Sequence, residues 1–356
     1  MSGHGGNLRQ LSEKYGLRKS KLIDFSASIN PCSPDSLKKI ILSDFDSIRS
    51  YPDPGHKLVK EAVSSATGIG VGNILITNGS IEAIFLLAAA LRPKKALIPV
   101  PAFSEYERAV SLYGTKCVFL RTKEGDNFKL NLEQAIAKLS KIGLVFICNP
   151  NNPTGSLLAQ LEVLALARAC EKRGIFLVVD EVFMDFVKET EQSSLIKFAS
   201  KSKNILVLRS LTKIFALAGL RLGFMVGAKE LISKIAKYQY PWSVNCLAQS
   251  VGEKAVKDSD FIRKSRNYLS GAKDELMAQL EKIDWLKPFP ASANFILCKI
   301  LEARLNSEKI CAYCAKQGLL LRDCSNFRGL NNRFFRIAVK SKAENQKLIQ
   351  ALRGFV

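Results

Sequence analysis

Residues 144–155 read LVFICNPNNPTG, five apolar residues that run straight into a turn containing two Asn-Pro pairs. A run this short, with no polar alternation, reads as a strand covered on both faces. The stiff turn behind it would hold the Asn152 amide rigidly. The same texture recurs on either side, at 73–77 (NILIT), 95–100 (KALIPV), 117–120 (CVFL), 175–179 (IFLVV), 204–208 (NILVL) and 222–226 (LGFMV). Helical patterns such as 81–91 and 157–172 separate the runs, so the chain is expected to build an α/β domain around a seven-stranded, mainly parallel sheet.

Past Tyr240-Pro241-Trp242 a charged amphipathic helical region extends to about residue 283, and strand-like runs at 294–300, 319–322 and 333–339 follow with two further helices. This predicts a second, smaller α/β domain. The expected division is an N-terminal arm (1–44) joining the small domain, a large domain (45–245) and the small C-terminal domain (246–356). Internal repeats and low-complexity tracts are missing from the sequence.

A chain of 356 residues, 47% apolar, buries a large core and has no run approaching the roughly 18 to 20 apolar residues of a membrane span. The N-terminal MSGHGGNLRQ lacks an apolar segment behind a basic start, so a cytoplasmic protein is expected. The nine cysteines are odd in number and sit mostly in apolar stretches, which reads as reduced, packed thiols; the lone CxxC at Cys311 and Cys314 lies in a helical pattern. The net charge of +21 suits a phosphorylated ligand. The basic residues are scattered, with no run of five and no aromatic ladder, so nucleic acid is not the expected partner. With only His4 and His56, a histidine-rich metal site is excluded, and no metal is expected.

Chemistry gathers at the strand ends, where open α/β sheets place their ligands. Neither a P-loop nor a dinucleotide fingerprint is present: the glycines of TGIGVGN (67–73) precede a strand instead of joining a strand to a helix. The run 73–77 ends in Asn78-Gly79-Ser80 at a helix start, an anion-binding arrangement or an ordinary cap. The run 175–179 delivers Asp180, with Glu181 and Asp185 behind it, and a carboxylate there needs a cationic or protonated partner. The run 204–208 leads into Arg209-Ser210-Leu211-Thr212-Lys213, with Arg221 beyond. A lysine in apolar company beside another cation loses its proton near neutral pH, which makes it a nucleophile able to form a Schiff base.

NPNNPTG, DEVFMDF and SLTK followed by GLRLG together resemble the fold-type I pyridoxal-phosphate enzymes of the aspartate aminotransferase superfamily, over nearly the whole chain. The resemblance implies that Lys213 bonds covalently to pyridoxal 5′-phosphate, that Asp180 pairs with the protonated pyridine nitrogen and that Asn152 donates to the ring hydroxyl. It places the cofactor phosphate on Gly79, Ser80, the Ile81 amide, Ser210 and Arg221, and the ring face on Phe103. It further implies a homodimer in which Tyr51 reaches the neighbouring subunit's site. Phe183 stands where many relatives have Tyr, which removes one donor to the ring hydroxyl.

Within that superfamily, HGGN at 4–7, DFSASINP at 24–31, PWSVN at 241–245 and RDCSNFRGLNNRFFRIA at 322–338 resemble the threonine-phosphate decarboxylases more closely than the histidinol-phosphate aminotransferases. By that resemblance His4, Gly5, Ser28, Asn152, Arg322 and Arg336 contact an amino-acid phosphate, and the reaction is decarboxylation of phosphothreonine in cobamide synthesis. Ser28 replaces an expected Asn, so phosphoserine stands beside phosphothreonine as a possible substrate. One methyl group changes binding by only about 1 to 3 kcal/mol. The alternatives are a histidinol-phosphate-type aminotransferase and, outside enzymes, a basic nucleic-acid-binding protein.

Overall fold

The computed structural model of the chain describes residues 5–355. Seven strands form the large sheet: β2 (Ile74–Thr77), β3 (Lys95–Val100), β4 (Lys116–Arg121), β5 (Leu144–Cys148), β6 (Phe176–Asp180), β7 (Ile205–Ser210) and β8 (Gly223–Val226), after a short β1 (Ile23–Asp24) near the N-terminus. Their order is β2-β8-β7-β6-β5-β3-β4, and β8 alone runs against its neighbours. The expected mainly parallel sheet of seven strands is therefore present.

The continuous apolar runs have a direct cause in the packing. Val145, Ile147, Val179 and Val207 enter one core, while Leu144, Phe146, Val178 and Leu206 enter the other, so each strand feeds both faces of the sheet in alternation. Each such side chain contributes about 1.5–3 kcal/mol of burial, which is what aligns the strand ends beside one another. The helix Gly79–Leu91 is apolar nearly all round because helices Glu105–Ser111 and Lys229–Ala236 cover it as well as the sheet.

Two expected boundaries shift for local reasons. The helix expected over 157–172 begins at Gln160, because Asn149 exchanges side-chain bonds with the Leu158 N–H (2.8 Å) and carbonyl (3.1 Å) and holds that stretch extended. Glu162 then accepts the Ala159 N–H at 2.8 Å and opens the helix. The helical region expected up to residue 283 is two helices, Cys246–Ala255 and Ser259–Leu280, the second capped by Asp258 through the Phe261 N–H.

The smaller sheet is antiparallel, in the order β12 (Arg322–Asp323), β13 (Phe334–Ala338), β10 (Phe295–Ile300), β9 (Leu286–Pro288). β1 pairs in parallel with β11 (Leu319–Leu320), which ties the N-terminal arm to this part of the chain. Among the described residues no helix is long and apolar enough to cross a membrane.

Candidate active site

The carboxyl ends of β5, β6 and β7 and the start of helix Gly79–Leu91 surround a cavity of about 140 Å³. Lys213, Asp180, Asn152, Ser80, Ile81, Ser210, Arg221 and Phe103, all expected at the site from sequence, line it, together with Tyr106, Cys148, Val182, Phe183 and Thr212. The 144–155 stretch supplies Asn152 through a turn with cis bonds at Asn149-Pro150 and Asn152-Pro153.

Lys213 stands in the one-turn helix Leu211–Ile214, which Ser210 caps while its hydroxyl shares a hydrogen bond with Thr212 at 2.7 Å. Its carbonyl accepts the Asn30 N–H at 3.0 Å, so the 24–30 turn braces the lysine from behind. No hydrogen bond reaches the Lys213 amine among the described residues. Burial, then the charges of Arg336 and Arg221, push the amine down to about 8, against a weaker pull from Asp180 and Asp24. At neutral pH about a tenth is already the free nucleophile, far more than for an ordinary lysine.

Asp180 registers against Cys148 on one side and Leu208 on the other, which places its carboxylate at the cavity floor. Tyr106 donates to it at 2.6 Å and the Val182 N–H at 3.1 Å. Burial raises the carboxyl above its usual range, and the Tyr106 and Val182 bonds oppose that rise. Tyr106 was not anticipated. Its signal lies in PAFSEY, where it follows Phe103 by three residues, one helical turn, and the two rings meet edge to face at 5.8 Å. Glu181 and Asp185 turn away: Arg209 binds them at 3.0 Å and 2.5 Å, and Ser194 and the Leu195 N–H complete Glu181. Asp180 is thus the one acid of the three at the cavity, and the described residues hold no group of His, Cys, Asp or Glu able to bind a metal.

Behind Asn152, Arg336 donates to the Asn152 side-chain oxygen and to the Ser26 carbonyl (3.0 Å), and lies over Phe295 at 4.8 Å. Phe295 in turn packs edge-on against Phe183 at 4.9 Å. The Arg336 Nε is buried without a partner among the described residues, and burial lowers this guanidinium to about 10. Because Arg336 takes the Asn152 oxygen, the amide NH₂ of Asn152 is left as the donor towards the cavity.

The remaining expected residues are placed apart from Lys213. Arg322 is the register partner of Arg336, yet its guanidinium is held by the Asp323 carbonyl and Asn326 and stacks on Phe327 at 5.0 Å. With Gly5 it lines an adjacent cleft of about 490 Å³. Ser28 is buried, its hydroxyl has no partner among the described residues, and it lines neither space. Tyr51 is 80% exposed, stacked on Trp242 at 4.6 Å and outside the cavity of its own chain. His4 lies outside the described residues.

Pyridoxal 5′-phosphate fits these residues on the geometry alone. A Cβ on Gly79 would fall 2.3 Å from Arg221 Nη2, so only glycine lets the guanidinium lie across the helix start, beside Ser80 and Ser210. That corner suits a phosphate, the Tyr106-braced acid suits a pyridinium, and the unpartnered amine between them suits an aldehyde.

The chain matches the family model for aminotransferase class I and II over residues 20–352, and it belongs to that family. Among similar proteins, the threonine-phosphate decarboxylase of Salmonella typhimurium is 34% identical over 99% of this chain and 96% of that protein. The adenosylcobalamin biosynthesis bifunctional protein CobDQ of Leptospira interrogans is 37% identical over 98% of this chain and 40% of that longer protein. Among solved structures, the histidinol-phosphate aminotransferase from Clostridium acetobutylicum superposes with a TM-score of 0.87 at 30% identity, covering 94% of this chain and 98% of that one.

Proposed function

We propose that this protein is a pyridoxal-phosphate-dependent decarboxylase of O-phospho-L-threonine, yielding (R)-1-aminopropan-2-ol O-2-phosphate for cobamide synthesis. One observation carries the reading: two register-paired arginines stand beyond Asn152, Arg336 held between the Asn152 side chain and the Ser26 carbonyl, and Arg322 in the adjacent cleft with Gly5. A substrate with a carboxylate and a phosphate needs two such cations. The similarity to named decarboxylases supports the same reading.

When bound, pyridoxal phosphate supplies an electron sink conjugated to the substrate Cα. The chain's own residues do the rest. Lys213 anchors the cofactor and, with its amine near pH 8, carries a proton to the α-carbon. Asp180, whose carboxyl burial raises and the Tyr106 and Val182 bonds hold back, would pair with a protonated ring nitrogen. Arg336 and Arg322 fix the two anionic groups, and that orientation selects carbon dioxide loss over proton loss. Ser80, Ser210 and Arg221 take the cofactor phosphate, with Gly79 and the Ile81 amide, and Phe103 covers the ring.

In this reading the enzyme is a homodimer: Tyr51 and Trp242 form an exposed aromatic pair, with Phe45 and Tyr240 also exposed, suited to completing a neighbour's site. The Ile23–Leu319 pairing supports grouping the N-terminal arm (1–44) with the small domain (246–356) and apart from the large domain (45–245). The nine unpaired cysteines suit a reducing cytoplasm.

The test is carbon dioxide release from phosphothreonine, with phosphoserine beside it, in the absence of any keto acid. Release from either supports decarboxylation, and the ratio gives the preference. The likeness to the Clostridium enzyme favours a second reading, amino transfer. No carbon dioxide, together with transfer from histidinol phosphate to 2-oxoglutarate, establishes that reading and removes the first.

A further inference from the structure

The turn 24–30 touches three things at once. Asn30 donates to the Lys213 carbonyl at 3.0 Å, the Ser26 carbonyl accepts from Arg336 at 3.0 Å, and the Ser26 hydroxyl accepts the N–H of Gly6 at 2.9 Å. Asp24 fixes the hydroxyl's direction. Its Oδ1 takes the Ser26 O–H at 2.5 Å and also the N–H groups of Ser26 (2.8 Å) and Ala27 (3.2 Å), so the hydroxyl spends its proton on Asp24 and keeps its lone pairs for Gly6. Ser26 is 3% exposed, which keeps water from replacing that bond.

The contact is close as well as directed. A Cβ on Gly5 would lie 2.2 Å from the Ser26 carbonyl oxygen, the same oxygen that holds Arg336. Gly5, Gly6 and Asn7 form one wall of the cleft that Arg322 lines, and Ser26 belongs to that lining too.

We propose that Ser26 is a positioning residue: through its hydroxyl it seats the N-terminal segment 5–7 against the substrate cleft, and through its carbonyl it sets Arg336, so that the segment and the arginine are aligned by one residue. The proposal rests on the decarboxylase reading only for the identity of the substrate. Ser26 touches no reacting atom. Its effect falls on how well substrate is held, and Lys213, Asp180 and their cofactor are left as they were.

The experiment uses the full-length, cofactor-loaded protein and two readouts. In Ser26→Ala, amide hydrogen exchange of the 5–15 segment is expected to rise about fivefold to tenfold, the size of one lost hydrogen bond, with the rest of the protein unchanged. KM for phosphothreonine rises by a similar factor, while kcat stays within about twofold and the visible cofactor band keeps its pH midpoint. Gly6→Pro deletes the donor and also bars this residue from its left-handed φ of 87°, so it serves as the detached reference, and adding Ser26→Ala to it should leave KM and exchange where Gly6→Pro put them. Unchanged exchange of 5–15 in Ser26→Ala overturns the proposal, whatever the activity. A fall in kcat equal to the rise in KM, or a fully additive double variant, overturns it as well. If the parent protein releases no carbon dioxide from phosphothreonine, the decarboxylase reading fails by itself, and the exchange readout still decides the role of Ser26.

Discussion

Charged groups around the cavity and those just outside it are held in opposite ways. On the floor, Asp180 is braced by a neutral phenol and a backbone N–H, and the nearest cation is the unpartnered Lys213 amine. Behind Asn152, Arg336 is gripped by two neutral oxygens, and among the described residues no carboxylate is bonded to it. A few residues from Asp180, by contrast, Arg209 is neutralised by Glu181 and Asp185 together. Charges that serve stability are paired within the protein, whereas charges that serve the site are oriented by neutral groups and left for a ligand to complete.

That contrast breaks most sharply at Lys213. Lys213→Met should abolish turnover, by on the order of 10⁴-fold or more. The same change should stabilise the cofactor-free protein below pH 8. The folded amine titrates near 8 and an ordinary lysine near 10.5, so the folded state disfavours the proton that the unfolded chain keeps. Stability of the cofactor-free parent therefore climbs as pH rises from about 8 towards 10.5, and the variant lacks that slope; melting temperatures against pH check both.

Next in size is Arg336→Met. It leaves Asn152 without its donor and removes the guanidinium, and kcat/KM should fall about 30-fold to 1,000-fold, as for truncating one partner of a buried charged contact. It also removes the second-largest cause of the low Lys213 value, after burial. The pH midpoint for cofactor capture by the free amine should move upward from about 8, measured by absorbance during reconstitution.

Tyr106→Phe sharpens the comparison from the other wall. Losing the 2.6 Å bond lets burial raise the Asp180 carboxyl further, and kcat/KM should drop roughly 10-fold to 100-fold with weaker cofactor retention after dialysis. The smallest effect belongs to Arg328→Ala. Its ion pair with Glu107 joins the 325–330 loop to the helix behind Phe103 at 2.9 Å, but both side chains are well exposed, so KM should change by less than about threefold.

The sequence makes the cofactor wall legible and the substrate wall only partly so. Strands buried on both faces betray themselves as unbroken apolar runs, and whatever polar residue ends such a run must sit at the sheet's edge; Asn152, Asp180 and Lys213 follow from that alone. Tyr106 escapes because its partner is 74 residues away on a strand whose proximity depends on sheet order, which no local pattern encodes. The pairing of Arg322 with Arg336 escapes for the same reason, a matter of antiparallel register between β12 and β13. Arg209 looked like part of the reactive run and is a structural counter-ion, because alternation along β7 points it away from Ser210 and into Glu181 and Asp185. The helix boundary at Gln160 moved because a side chain, Asn149, reached across nine residues to hold Leu158.

Borohydride reduction of the pyridoxal-phosphate-loaded protein, followed by peptide mass analysis, bears most directly on the role given to Lys213. The account predicts a single added phosphopyridoxyl mass on the peptide carrying Lys213 and none on it in Lys213→Met. An unmodified Lys213 peptide, or the label on another lysine, would contradict it.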